Sequence, residues 1–271
     1  MKTWIALIGL ALPSLLVAQQ AVDFSLPDGP LTQERVDTLF GGGKFAPERG
    51  FAEIRNGVLA VTFVAGKKVV ETGFSTHVPV PPSEDFELRF KIRYPEDFQV
   101  GLHGKQLGLS GGKGYDGGRG EEARTNGDGW SIRLQFDSVP EGVRNSLYVY
   151  HAKMSGKYGG PVGAGSFMLT RGAWHEIRLR VKMQSTPDAS DGVIEVWFDG
   201  EKKIEKTGFQ FVQKEEGRCV DRVRIEMFPG GGGEFPSKDQ IFEIDDLAWG
   251  PGGTTAPAST WWEWARGLIG W

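Results

Sequence analysis

The sequence predicts an all-β fold, an antiparallel sandwich of two β-sheets. Apolar and polar residues alternate with a period of two in many short segments, which is the pattern of strands that bury one face. Glycine-containing turn dipeptides separate these segments, and no long helical pattern competes with them. Together these observations favour a single domain that uses most of the 271 residues.

Composition excludes several other classes of protein. The 40 glycines have no three-residue period, which excludes collagen, and 17 Phe and 9 Trp give ample apolar surface for a core. The single cysteine, Cys219, excludes a disulfide scaffold. The formal net charge of -4 argues against nucleic acid as a partner. Basic residues gathered in one groove would still suit a polyanion.

The two ends of the chain differ from its middle. Residues 1–18 read as a signal peptide, because Lys2 precedes a short apolar stretch and Ala18 is a small residue at a plausible cleavage point. A membrane anchor is the alternative, but Pro13 interrupts the apolar run. We therefore expect a secreted or periplasmic protein with no membrane span, and a jelly-roll domain over residues 19–250. Residues 251–271 form a Gly/Pro linker and a Trp-rich tail. We expect this tail to pack on the domain or on a second copy of the chain; the alternatives are an anchor at a membrane interface and a patch that stacks on sugars.

The predicted strands follow one another through the domain. The alternating segments are residues 58–63, 86–93, 132–136, 147–150, 177–183, 193–198, 223–228 and 241–247. The predicted turns are Asn56-Gly57, Asn126-Gly127-Asp128-Gly129, Asp191-Gly192 and Asp199-Gly200. Many short strands with Gly-rich turns are typical of an antiparallel two-sheet β-jelly-roll sandwich, a concanavalin A-like fold. One sheet of such a sandwich is often concave on its outer face, and that groove suits a long polymer.

Polar side chains on two of these strands, and on the Gly-rich segment 101–112 if it enters as a strand, are predicted to form one cluster. Alternation places the polar residues of each segment on one face and the apolar residues on the other. These polar residues are His103 and Lys105, then Ser131, Arg133 and Gln135, and then Tyr148 and Tyr150. If the three strands pair, all of these residues line one surface. A solvated sheet face is the alternative, and we favour it for Arg178, Arg180 and Lys182.

The residue types of the cluster are those that a β-eliminating lyase needs. A uronic acid loses its C5 proton only when its carboxylate is neutralised, and Arg133, helped by Gln135, suits that task. Lys105 or a tyrosine suits the base that removes the proton, if a neighbouring cation lowers its pKa. Tyr148 or Tyr150 suits the acid that protonates the departing O4. His103 and Ser131 are predicted to contact the substrate.

The order of several motifs resembles polysaccharide lyases of family 14 and the related glucuronan lyases of family 20. The matching segments are 103–109, the Ser-x-Arg strand 131–133, the Tyr-x-Tyr strand 148–150, and the segments 174–177, 191–197, 228–233 and 244–249. The resemblance spans roughly residues 80–250 and implies a jelly roll that cleaves a polyuronate, usually alginate or glucuronan, by β-elimination. It also implies that Lys105, Ser131, Arg133, Tyr148 and Tyr150 line the cleft.

The chain departs from that family pattern in two places. His103-Gly104 replaces a Gly-Gly lead-in, and the proline of the family segment is replaced around Gln106-Leu107. A Gly-rich stretch, residues 111–129, separates Lys105 from Ser131. These changes leave the choice of uronate open.

Other function classes are kept as alternatives. A non-catalytic carbohydrate-binding module would use the same groove and aromatics, but it would need neither base nor acid. A glycosidase needs two carboxylates across the bond, and the strand at Glu243 and Asp245 provides no second glutamate on that face. The four histidines lack tight metal-ligand spacing, so we expect no required cofactor, although the sequence is compatible with a structural calcium ion. The sequence indicates no oligomeric state.

Overall fold

A computed structural model describes residues 19–46, 50–67, 71–230 and 235–252. These residues form two antiparallel sheets, which confirms the predicted β-sandwich. The predictions made for residues 1–18 and for the tail from residue 253 onward lie outside the described residues.

Sheet A contains the described strands nearest both ends of the domain. Its members are β1 (Gln20–Ala21), β2 (Gly29–Pro30), β3 (Ala52–Arg55), β4 (Val58–Phe63), β6 (Asp85–Arg93), β11 (Trp174–Lys182), β12 (Gly192–Phe198), β13 (Glu201–Phe209) and β15 (Gln240–Pro251). They are ordered β13-β12-β11-β6-β15-β4-β3-β2, and β1 pairs with β15.

Sheet B carries the predicted polar cluster. Its members are β5 (Phe74–Ser83), β7 (His103–Gly112), β8 (Gly129–Val139), β9 (Gly142–Tyr150), β10 (Gly160–Leu169) and β14 (Val220–Pro229). They are ordered β10-β9-β8-β7-β14-β5. The strands β7, β8 and β9 are therefore neighbours, and the pairing on which the predicted cluster depended is confirmed.

Two predicted hairpin turns have the backbone conformation that their sequences favour. Asn56 and Gly57 have φ of 52° and 74°, and Asp199 and Gly200 have φ of 49° and 83°. Positive φ at both central residues matches the right-handed twist of the flanking strands. The predicted turn at residues 126–129 is wrong in part, because Gly127 instead ends a short helix.

Short helices connect the strands. The helix α1 (Gln33–Phe40) begins after Thr32, whose side chain accepts a hydrogen bond from the Arg35 N–H. The helix α2 (Gly120–Asn126) lies between β7 and β8, and a 3-10 turn covers Glu215–Gly217. Among the described residues, no helix has the length and apolar character needed to cross a membrane.

The inner faces of both sheets share one apolar core. Leu109 and Ile132 of sheet B and Leu88 and Ile177 of sheet A are completely buried members of the same cluster. Close packing of this kind fixes the strands of sheet B relative to one another. The polar residues that alternate with the core are consequently held in register on the outer face.

A β-bulge in β7 places Lys105 on the outer face. Lys105 pairs with Gln135, whereas Gly108, three residues later, pairs with Arg133, which is only two residues from Gln135. In a regular strand Lys105 would share a face with Leu107 and therefore with the core. The extra residue of the bulge separates the two, so that Leu107 is buried and the Lys105 side chain contacts outer-face residues.

Candidate active site

The candidate site occupies the middle of the outer face of sheet B. Lys105 on β7 pairs with Gln135 on β8, and Arg133 on β8 pairs with Tyr148 on β9. Because the register fixes these pairs, side chains from three strands converge on one patch, which we call the cleft floor.

Lys105 is held by an amide and an aromatic ring instead of by an acid. Its Nζ lies 3.4 Å from the centroid of the Tyr148 ring and donates a hydrogen bond to Gln135 Oε1. No carboxylate of the described ranges forms an ion pair with it. Burial, and then the positive charge of Arg133, lower the pKa of Lys105 to about 7. A lysine in this state can accept a proton near neutral pH.

The two tyrosines of β9 differ in their access to a ligand. Their ring centroids are 5.6 Å apart, but Tyr148 is partly exposed and Tyr150 is completely buried. The Tyr150 hydroxyl accepts a hydrogen bond of 2.9 Å from the Gly118 N–H. Burial, and then the hydrogen bond with Tyr150, raise the pKa of Tyr148. Of the two predicted acids, Tyr148 is thus the one that a substrate can reach.

Arg133 provides a fixed positive charge within the cleft floor. Its side chain is 5% exposed, and its Cζ lies 5.5 Å from the Tyr148 ring centroid and 5.9 Å from that of Tyr150. The Nη1 atom of Arg133 lies 3.4 Å from Glu226 Oε2. The guanidinium is therefore packed beneath the aromatic rings. This placement differs from the sequence prediction of a cation on the surface of the groove.

Sequence reasoning missed a buried ion-pair network on β14. Glu226 Oε2 lies 2.9 Å from Arg224 Nε, and Glu226 Oε1 lies 3.0 Å from His77 Nε2. Arg224 also pairs with Asp116. Although burial alone would raise the pKa of Glu226, Arg224, Arg133 and His77 hold it well below its ordinary value. The sequence contained a feature that could have revealed this network, because the charged residues Arg224 and Glu226 alternate with core residues in the predicted strand 223–228.

A loop built from the Gly-rich stretch covers one end of the cleft floor. Ser131 is completely buried, and its hydroxyl donates a hydrogen bond to the Tyr115 carbonyl. The Tyr115 hydroxyl in turn donates to Asp128 Oδ1 at 2.6 Å. Ser131 was predicted to contact the substrate, but in the structure its hydroxyl anchors this loop. Burial beneath the loop is the physical reason for the difference.

His103 lies at the other end of β7. It pairs with Asp137 on β8, and so it shares the outer face with Lys105, as alternation predicted. Its imidazole packs against Gly230, where an added Cβ would lie 2.5 Å from the ring. The roles of His103 and Gln135 in substrate binding stay predictions.

The family model for polysaccharide lyase 14 matches residues 56–241. This span exceeds half of the 271-residue chain and includes every residue of the cleft floor. The chain belongs to polysaccharide lyase family 14. It is accordingly a polysaccharide lyase, which confirms the resemblance identified from the motifs. No curated protein matches it in sequence.

Solved structures of alginate lyases share the fold of this lyase. The alginate lyase Aly36B superimposes with a TM-score of 0.74 at 20% identity, covering 85% of this chain and 96% of that one. The alginate lyase vAL-1 from Chlorella virus gives a TM-score of 0.60 at 19% identity, covering 82% and 98%. The marine PL-14 alginate lyase from Aplysia kurodai gives 0.58 at 18% identity, covering 86% and 98%. At these identities the likeness shows the sandwich fold.

The described residues of this lyase contain no cluster of three or more His, Cys, Asp or Glu side chains able to hold a metal ion. The expectations of no required cofactor and of a compatible structural calcium ion stay predictions.

Proposed function

We propose that this lyase cleaves a polyuronate of the alginate or glucuronan type by β-elimination. The observation that carries the proposal is the placement of Lys105 against Tyr148 and Gln135 with no acidic partner among the described residues. A base on β7 and an acid on β9, which meet across β8, fulfil the requirements of an elimination that removes one proton and delivers another.

Lys105 is the base in this proposal. With a pKa of about 7, a large fraction of its Nζ is neutral at neutral pH and carries a lone pair. It takes the proton from C5 of the uronate, and the electrons of the C5–H bond become the C4–C5 double bond as the bond from C4 to the glycosidic oxygen breaks. A lysine with an ordinary pKa would be protonated and unable to act.

Tyr148 is the acid. Its raised pKa keeps the hydroxyl protonated while Lys105 is neutral, and a pair of groups whose pKa values are pushed apart is typical of an acid and base pair. The hydroxyl donates its proton to the departing glycosidic oxygen. Proton transfer through solvent from Lys105 then restores both groups.

Arg133 and Gln135 stabilise the negative charge that develops on the substrate. Arg133 lies within the floor, where low solvent access strengthens its field on the carboxylate and the enolate-like intermediate. The side-chain carbonyl of Gln135 accepts a hydrogen bond from Lys105. Its amide N–H groups can therefore donate hydrogen bonds to the substrate carboxylate.

A structural neighbour supports the choice of a uronate polymer. A variant of Aly36B with a lysine and a tyrosine replaced by alanine was solved in complex with alginate tetrasaccharide, and it covers 85% of this chain. The residue types of that variant match the base and acid proposed here. We further propose that the mature enzyme acts outside the cytoplasm, secreted or periplasmic, on the evidence of the leader-like residues 1–18.

The test is the ultraviolet absorbance of the new C4–C5 double bond. The purified chain is mixed with alginate, polyglucuronate, pectate and glycosaminoglycans, and with neutral glucans as controls. We expect a rise on alginate or polyglucuronate and none on the glucans. New reducing ends without absorbance would indicate hydrolysis and overturn the proposal. Retention on a polyuronate column without either product would also overturn it, in favour of a binding module.

A further inference from the structure

An exposed tyrosine lies at the rim of the cleft floor, outside the machinery proposed for the reaction. Tyr158 precedes β10 and is 58% exposed, whereas the other tyrosines of the described chain are buried or partly buried. Tyr158 therefore presents a large ring with a polar tip to solvent, beside the proposed polysaccharide site.

The backbone around Tyr158 packs directly against the proposed acid. Gly159, the next residue in the chain, lies against the side chain of Tyr148. An added Cβ at Gly159 would lie 2.8 Å from the Tyr148 ring and 3.0 Å from the Tyr150 ring, so the segment packs against both. Tyr158 thus immediately precedes, along the chain, a glycine that packs against the ring of the proposed acid.

A row of paired residues crosses sheet B, includes Tyr148 and ends at this rim. Across sheet B the register aligns His77, Arg224, Gly108, Arg133, Tyr148 and finally Pro161 on the edge strand β10. A polymer that crosses the strands along this row passes over Tyr148 and leaves the sheet at Pro161.

A cavity lies at this edge of the sheet, beside Pro161. It has a volume of about 350 Å³, and Tyr158, Pro161 and Lys153 line it together with Val149, which lies on the face of β9 opposite Tyr148. Its mixture of an aromatic ring, apolar groups and a cation is typical of surfaces that hold a charged sugar, because the ring stacks on the sugar's C–H face.

The charge of the rim suits an acidic sugar. Lys157 Nζ lies 5.5 Å from the Tyr158 ring centroid, and Lys153 and Lys157 are both exposed. Neither lysine has a carboxylate partner in the described part of the chain. Of the acids on the neighbouring helix, Glu122 is paired with Arg119 at 2.7 Å. The cations at this rim are therefore available to a ligand.

We propose that Tyr158, with Lys153 and Lys157, forms a subsite for a uronate unit of the polymer outside the bond that is cleaved. Tyr158 stacks on the ring of that unit, and the lysines attract its carboxylate. The subsite rests on the proposed lyase function and deepens it. It supplies binding energy to long substrates and takes no part in proton transfer.

The experiment compares Tyr158→Ala with the wild type on alginate and polyglucuronate and on the shortest oligosaccharide that the wild type cleaves. We expect kcat/KM to fall about fivefold more on the polymer than on the short substrate, mainly through KM. Tyr158→Phe keeps the ring and should restore the wild-type ratio. Phe51→Ala, an exposed aromatic next to the opposite edge of sheet B, is the matched control.

Each outcome separates the subsite from the lyase function. In one outcome the wild type produces double-bond absorbance while kcat/KM of Tyr158→Ala falls by the same factor on the polymer and on the short oligosaccharide. In that case the subsite proposal is wrong and the lyase proposal stands. An equal loss in kcat alone would point to disturbed packing of Tyr148 and would also overturn the subsite. If the wild type cleaves neither polymer, the proposed function itself fails.

Discussion

The outer faces of the two sheets look alike in sequence but differ in how their charges are partnered. On sheet A, Arg180 lies 2.6 Å from Asp85 and Lys202 lies 2.6 Å from Glu195, so each cation faces an acid. On sheet B, Lys105 has no acid within ion-pair distance in the described chain, and Arg133 shares Glu226 with Arg224.

This comparison separates a solvated surface from a site. Partly exposed ion pairs contribute little to stability and leave no charge for a ligand. A buried cation with a shared partner keeps a strong field, and a lysine without an acid has a lowered pKa. Alternation in sequence predicts both faces equally well, whereas the pairing of charges distinguishes them.

The largest expected effect comes from removing the proposed base. Lys105→Ala should lower kcat by about a thousandfold or more, because a positioned base contributes on the order of 10²–10⁴ to the rate. The matched control is Lys202→Ala on sheet A, which should retain the wild-type rate. Double-bond absorbance measures both. Near-normal activity of Lys105→Ala, with the fold intact by circular dichroism, would remove Lys105 from the mechanism.

The next effect compares the two tyrosines. Tyr148→Phe removes the hydroxyl of the partly exposed tyrosine and should lower kcat by about a hundredfold or more. Tyr150→Phe removes a buried hydroxyl that binds the Gly118 N–H, so its loss of activity should be smaller and its melting temperature lower. Both are measured by absorbance kinetics and thermal melting. The reverse order of the kinetic losses would assign the acid to Tyr150.

The third effect concerns stability and compares a carboxylate on each sheet. Glu226→Gln leaves Arg133 and Arg224 without their shared acid, and breaking a buried pair of this kind costs about 3–5 kcal/mol. Glu195→Gln on sheet A should cost about 1 kcal/mol or less, because Arg180 keeps Asp85. Denaturant unfolding gives both values. Equal losses of unfolding free energy in the two variants would contradict the distinction between buried charges on sheet B and solvated ion pairs on sheet A.

Alternation and turn chemistry were sufficient to predict much of the fold. They identified the strands of sheet B that carry Arg133 and Tyr148 and the turn at Asn56-Gly57, whereas the strand that carries Lys105 was predicted only conditionally. Period-two patterns report which residues face the core, and this information does not depend on distant parts of the chain. Because these strands follow one another along the chain, the sequence also favoured their pairing in one sheet.

The parts of the site that the sequence did not reveal depend on contacts between distant segments. Ser131 follows the alternation of a cleft residue, but a loop from residues 111–129 covers it. Glu226 is far from Arg133 along the chain and meets it only after folding. The bulge that turns Lys105 away from the core has no signal in a two-residue period.

The measurement that tests the central claim most directly is the pH dependence of kcat/KM for the polyuronate that the wild type cleaves. Lys105 must be neutral to act, so the rate should fall about tenfold per pH unit below its pKa of about 7 and level off above it. The raised pKa of Tyr148 keeps the acid protonated across this range. A rate that keeps rising to about pH 10, as an ordinary lysine would require, or one that falls as the pH rises through 7, would contradict the account.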